Sequence, residues 1–222
     1  MRFSTTDLFD LAHSLAATLL SQKKYPWEAL AELKEFIVRT GEELPIEKYE
    51  EVAEHVWVAK NANVARSAFL GAPLIIGERT EIRHCAYIRG SVLVGNNCVV
   101  GNSTELKNSI LFDGVQVPHF NYVGDSILGH LAHLGAGTIT SNVKSDKSSV
   151  TIRDKATGDN FETKLWKLGA LVGDGVEIGC NCVLNPGTVV GRNASVYPLT
   201  SVRGVIPSNS IVKDAATIIT KR

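Results

Sequence analysis

The sequence predicts a mainly β chain folded as a parallel β-helix, on two observations. An aliphatic residue returns every six positions from Val58 onward, and a glycine or another small residue follows it in most of the repeats. The hexads read VAKNAN, VARSAF, LGAPLI, IGERTE, IRHCAY, IRGSVL, VGNNCV and VGNSTE without a break to Glu105. A five-residue step, LKNSI, comes next. The pattern resumes with LFDGVQ and VPHFNY, then LGHLAH and LGAGTI, and returns later as VGDGVE, IGCNCV, LNPGTV, VGRNAS and VYPLTS. A period of six with one inward aliphatic suits short strands joined by turns, three faces to a coil, with the aliphatics stacked in a triangular core. Glycine at the second position fits turns that need a positive φ or a close backbone approach.

Residues 1–50 carry a different period and are predicted to be an α-helical segment, with the β-helix over 51–222. Ser4, Thr5, Thr6 and Asp7 are N-cap candidates, and Leu8, Leu11, Ala12, Leu15, Leu19 and Leu20 recur at helical spacing, so one amphipathic helix is expected there. A second is expected from Trp27 to Val38, opened by Pro26 and ended by Gly41. No chemistry is visible in this segment, which reads as a cap on one end of the coils or as a partner contact. Residues 143–167 interrupt the hexads. The runs SVTIR and NFETKLW around Thr157, Gly158 and Asp159 predict an inserted β-hairpin arm, projecting to touch a neighbouring subunit or to close over a ligand.

Lysine plus arginine and aspartate plus glutamate both number 23, so no net field draws the chain to nucleic acid or to an anionic membrane. The first residues lack a basic stretch followed by an apolar run, and no segment has the roughly 18 apolar residues of a membrane span, which predicts a cytoplasmic protein. Cys180 and Cys182 form a CxC rather than the CxxC of zinc sites. With Cys85 and Cys98 they are expected to be reduced, and no metal is expected.

Histidine is not required by the repeat, yet His119, His130 and His133 fall close together, with Tyr122 three residues after His119. The stretch VGNSTELKNSILFDGVQVPHFNYVGDSILGHLAHLGAGTITSN, residues 100–142, resembles the acetyltransferase half of the bifunctional enzymes that make UDP-N-acetylglucosamine. Their pattern runs VGNFVE-K, GH--Y-GD, IGAGT and CN. The later run KLGALVGDGVEIGCNCVLNPGTVVG is similar to archaeal-type sugar-1-phosphate nucleotidylyltransferases that carry a hexapeptide-repeat C-terminal domain.

The resemblance implies a left-handed coil, a homotrimer and acetyl-CoA as cosubstrate. It makes His119 the catalytic base and places Arg89, Lys107, Tyr122, His133 and Asn142 around a hexosamine-1-phosphate. Gly135, Ala136, Cys180, Tyr197 and Lys213 fall along the coenzyme, with Lys221 and Arg222 as further candidates for its phosphates. The chemistry agrees. Acetyl transfer needs a neutral amine, and an imidazole of ordinary pKa about 6.5 can take its proton. An arginine fork and a lysine point charge suit a phosphate. Backbone N–H groups from Gly135 to Gly137 could meet the thioester carbonyl and its developing oxyanion. His133 and Val143 depart from the asparagine and tyrosine usual in the bacterial proteins, which leaves glucosamine-1-phosphate and galactosamine-1-phosphate both open. No glycine-rich nucleotide loop is present, so acetyl transfer is expected without pyrophosphorylase activity. Two other readings use the same residues: a γ-carbonic-anhydrase-like enzyme with zinc on His119, His130 and His133, and a non-catalytic trimeric scaffold.

Overall fold

The computed structural model describes residues 3–214 and 216–221. From Val56 on, the chain winds into stacked coils whose strands pair in parallel with the coil above and the coil below. Three columns of inward side chains fill the centre. One runs Ile76, Val94, Leu111, Leu128, Val172 and Val190, and each of these is fully buried. The second runs through Ile82, Val100, Val117, Leu134 and Ile178, and the third through Ile88, Leu106, Val123, Thr140 and Leu184. These are the first residues of the hexads, so the period of six is the period of the core. Cys98 and Cys182 are buried and Cys85 and Cys180 exposed, all four as free thiols; burial pushes the Cys98 thiol up to about 12. The last strand, Ile218–Thr220, turns back antiparallel onto Ser210–Val212.

Between the columns, alternate strand residues point outward. On the first face these are Trp57, Ile75, Leu93, Ile110, Ile127, Leu171 and Val189, all buried. What buries them is the N-terminal segment, which lies along the side of the prism rather than capping its end. Its helix α3 (Leu33–Glu42) packs against Leu74–Ile76 and Val92–Val94, and the 3-10 turn Pro26–Ala31 packs against Tyr122–Leu128. Phe9 meets Phe112, Phe3 meets Phe161 edge-on, and His13 stacks on His130 at 3.8 Å. Asp10 N–H donates to Asp174 Oδ2 at 2.7 Å, Asp174 N–H to the Leu8 carbonyl and Asp113 N–H to the His13 carbonyl. Each outward aliphatic so covered contributes about 1.5–3 kcal/mol.

The expected single helix over Leu8–Leu20 is broken into α1 (Thr5–Leu8), a 3-10 turn at Leu11–His13 and α2 (Ala17–Ser21). The side chain of Asp10 accepts from Ala12 N–H and that of Ser14 from Ala16 N–H, and such local bonds restart the chain instead of continuing a helix. Gly41 does not end the second helix but sits inside α3. A Cβ there would stand 2.2 Å from the Trp57 indole, so the glycine lets the helix close on the covered face.

The arm is a hairpin, with Thr151–Arg153 antiparallel to Asn160–Glu162, and it does not project freely. Val150 and Ile152 are fully buried against the coils. Gly187, at φ +75, lies where a Cβ would meet Val150, and Gly204, at φ +79, where it would meet the Arg153 carbonyl. No helix among the described residues is long and apolar enough to cross a membrane.

Candidate active site

The second face of the prism stays open. Its outward residues are Phe69, Tyr87, Glu105, Tyr122, Ile139, Val183 and Ser201 on successive coils. Phe69 and Tyr87 stack edge-on and are 57% and 45% exposed, an apolar patch left uncovered among the described residues.

At the edge where this face turns into the covered one, the coil length changes from 18 residues (Ile76 to Val94) to 17 (Val94 to Leu111 to Leu128). The five-residue steps LKNSI and VGDSI are these shortened corners. The missing residue leaves one corner residue per coil, Asn108 and Asp125, both at positive φ and stacked on each other. Asparagine and aspartate tolerate that conformation better than most residues. The stack brings polar groups from three successive coils together. Lys107 Nζ donates to Asp125 Oδ1 and Oδ2 at 2.9 and 3.1 Å, Asn108 Nδ2 to Oδ1 at 2.9 Å, and Asn142 Nδ2 both to Asp125 Oδ2 and to Tyr122 Oη. The Asp125 carboxylate is buried, and it is the hub. Sequence reasoning did not assign it, although the GD pair of the family pattern falls on Gly124–Asp125.

Gly124 carries a second constraint. A Cβ there would stand 2.5 Å from Tyr122 Oη and 2.9 Å from Asn142 Nδ2, so only glycine lets these two lie across the strand. Burial raises the Tyr122 pKa against the opposing hydrogen bond from Asn142, and the phenol stays a neutral donor at physiological pH.

Arg89 and Lys107 were expected to be free for a phosphate, and both are already ion-paired. Arg89 Nη1 donates to Glu105 Oε1 at 2.9 Å, a contact that raises its pKa, and Lys107 is held by Asp125. An incoming phosphate must therefore compete with two carboxylates.

The opposite edge of the open face carries the other candidates. His119 is exposed at this corner, and its imidazole bonds to no group among the described residues. Five residues of turn and strand separate it from Asp125, a span of at most about 20 Å. Along the same corner, Gly137 N–H donates to the His119 carbonyl, Asn181 N–H to that of Ala136 and Leu199 N–H to that of Cys180. Ala136 and Cys180 thus follow His119 on successive coils, with Tyr197 beside them, 47% exposed, and Lys213 one coil further. The Gly135 and Gly137 N–H groups, expected to be available for an oxyanion, are engaged by the carbonyls of Ile178 and His119. Ala136 N–H donates to no group among the described residues.

The remaining histidines go elsewhere. His133 lies on the third face, Nδ1 2.8 Å from Glu177 Oε2, and His130 Nδ1 bonds the Asp113 carbonyl at 2.8 Å beneath the N-terminal segment. Within one chain His119, His130 and His133 are not brought together. Lys221 N–H bonds the Asn209 carbonyl, and Arg222 lies outside the described residues.

Residues 72–160 match the GMPPB C-terminal domain. A stretch of 94 residues, 42% of this chain, is 36% identical to a bifunctional sugar-1-phosphate nucleotidylyltransferase/acetyltransferase of Sulfurisphaera tokodaii, of which it covers 23%. A stretch of 121 residues, 54% of the chain, is 36% identical to the bifunctional protein GlmU of Methanococcus maripaludis, of which it covers 29%. The chain thus spans about a quarter of the length of these relatives. Among solved structures, the polySia-specific acetyltransferase NeuO is 15% identical at a TM-score of 0.45, covering 74% of this chain and 83% of that one. The chain therefore contains a segment similar to the GMPPB C-terminal domain and stretches similar to parts of GlmU and of bifunctional sugar-1-phosphate nucleotidylyltransferase/acetyltransferases.

Proposed function

We propose that this chain is an acetyl-CoA-dependent N-acetyltransferase acting on a hexosamine-1-phosphate, glucosamine-1-phosphate or galactosamine-1-phosphate. The observation that carries the reading is the open face itself. One edge gathers Lys107, Tyr122, Asp125 and Asn142 in a hydrogen-bonded cluster, and the other presents the unengaged imidazole of His119 at the head of the Ala136 and Cys180 corner. The similarity to bifunctional relatives with acetyltransferase in their name supports the same reading.

In this reading the neutral amine of the substrate attacks the thioester carbonyl, and His119 accepts a proton from its nitrogen. The C–N bond forms, the C–S bond breaks, and the thiolate leaves with the proton returned by the imidazolium. Ala136 N–H donates to the oxyanion. Arg89 and Lys107 hold the sugar phosphate, exchanging Glu105 and Asp125 for it, while Tyr122 and Asn142 position the sugar; His133, on the third face, reaches the sugar only from a second copy. The pantetheine lies along Gly135, Ala136, Cys180 and Tyr197, with Lys213 toward the coenzyme's phosphates. Because His119 and the Asp125 cluster lie on opposite edges of the open face and the Phe69–Tyr87 patch is exposed, we assign the working unit to a homotrimer in which a second copy faces this surface. We treat residues 1–50 as a helical unit, 51–222 as the catalytic β-helix and 143–167 as its inserted arm.

The test is release of free thiol from acetyl-CoA by the purified chain with each hexosamine-1-phosphate. Acceptor-dependent release with at least one of them is the expected result. No release with either contradicts the assignment, and stoichiometric zinc in the same preparation favours the carbonic-anhydrase-like alternative instead.

A further inference from the structure

The cations of the open face are balanced by carboxylates, but the two arginines beneath the arm pair with none among the described residues. Where the hairpin docks on the coils, two adjoining cavities of about 300 and 100 Å³ share Lys144, Pro186 and Arg203 as walls. Arg153, from the arm, lines the smaller one. Arg153 and Arg203 form no ion pair among the described residues; Lys144 Nζ donates to Ser148 Oγ and to the Ser149 carbonyl and lies 3.6 Å from the carboxylate of Asp146, which lines the larger cavity and also accepts from Ser148. The guanidinium of Arg203 is aimed by Asn185, whose Oδ1 accepts from Nη2 at 3.0 Å while its Nδ2 is fixed on Ser201 and the Val202 carbonyl. The arm is held close enough to contribute Arg153 because Gly187 and Gly204, both at positive φ, let its backbone seat directly on the coil. Thr151 and Ser141 add hydroxyl groups to the walls. The Thr151 hydroxyl donates to Glu162 Oε1, whose carboxylate does not line either cavity.

We propose that this pocket is a phosphate-binding site separate from the Lys107–Asp125 cluster, taking a phosphate monoester or diphosphate between Arg153, Arg203 and Lys144. Two guanidinium groups without carboxylate partners, beside an ammonium held only by the 3.6 Å pair with Asp146, are a donor set that binds such a dianion through charge-assisted, fork-shaped hydrogen bonds.

Calorimetric titration of inorganic pyrophosphate into the full chain tests the site without turnover, so its outcome is separate from that of the acetyl-transfer reading. Saturable binding at one site per chain is expected, weakened about tenfold or more by Arg153→Gln or Arg203→Gln. Arg203→Lys should retain part of it, and Lys107→Gln should leave it unchanged within about twofold. Both arginines are exposed, and an unaltered thermal transition in each variant verifies folding. Absence of saturable binding, survival of binding in the Arg153→Gln/Arg203→Gln double variant, or its loss in Lys107→Gln would overturn the proposal. Competition names the source. Displacement of pyrophosphate by UDP supports the site and assigns it to a nucleotide-linked ligand, and displacement by coenzyme A but not by dephospho-coenzyme A supports it and assigns it to the coenzyme's 3′-phosphate. Failure of all three to compete overturns it.

Discussion

The covered and open faces are built from the same repeat and differ only in the residues that point away from the core. On the covered face these are Trp57, Ile75, Leu93, Ile110, Ile127, Leu171 and Val189, sealed under the N-terminal segment; on the open face Phe69, Tyr87, Glu105, Tyr122 and Ile139 mix apolar and polar groups that the chain leaves uncovered. The inward column makes a prism, and the outward column decides whether a face is structural or available for binding.

The sharpest way to break this comparison is to place one charge on each face. Leu93→Lys buries an unpaired ammonium under α3 and should cost about 3–5 kcal/mol or abolish folding. Tyr87→Lys on the open face should cost under about 1 kcal/mol, mostly the lost stack on Phe69. Thermal denaturation of the two variants measures the contrast. Asp125→Ala should act next most strongly. It releases Lys107, Asn108 and Asn142 at once, so acetyl transfer should fall more than about hundredfold, with a loss of stability of about 1–3 kcal/mol. Asp125→Asn, which keeps the shape but not the charge, should restore most of the stability and little of the activity.

Gly124→Ala should be milder for the fold than for the site. The methyl group displaces Tyr122 and Asn142, and KM for the sugar phosphate should rise about tenfold with the transition temperature lowered by only a few degrees. The smallest effect concerns alkali. The pKa values of Tyr49 and Tyr122 are raised in the folded chain, chiefly by burial. The unfolded chain therefore loses these protons first, so the stability they contribute is intact below about pH 10 and declines as pH rises beyond it. Denaturant midpoints at pH 8 and pH 11 should fall less for Tyr122→Phe than for the wild type.

The prism was legible because its core residue recurs at a fixed period, and the two five-residue steps marked where the corner tightens. The lateral course of the N-terminal segment was not, because its burial surface is the outward column, whose residues Ile75, Leu93 and Ile110 each sit next to a core aliphatic and recur only once per coil, 17 or 18 residues apart. The breaks at Asp10 and Ser14 were hidden by an apolar spacing that also fits one helix. Of the residues the resemblance groups around a sugar phosphate, Lys107 and Asn142 meet at Asp125 with Tyr122 bonded to Asn142, Arg89 pairs with Glu105, and His133 lies on the third face. The ion pairing was not foreseen, since Glu105 and Asp125 reach Arg89 and Lys107 only across coils, from 16 and 18 residues away in sequence. The arm was read correctly as a hairpin and wrongly as free, because Gly187 and Gly204, which receive it, lie outside the arm itself.

The central claim is that His119, alone at the far edge of the open face, takes the proton in acetyl transfer. The direct measurement is acetyl-CoA thiol release by wild type and His119→Ala with the better hexosamine-1-phosphate, kcat and KM resolved separately. The account predicts a kcat lowered about 10²–10⁴-fold in His119→Ala with KM changed only a few-fold. A variant that turns over at the wild-type rate would contradict it.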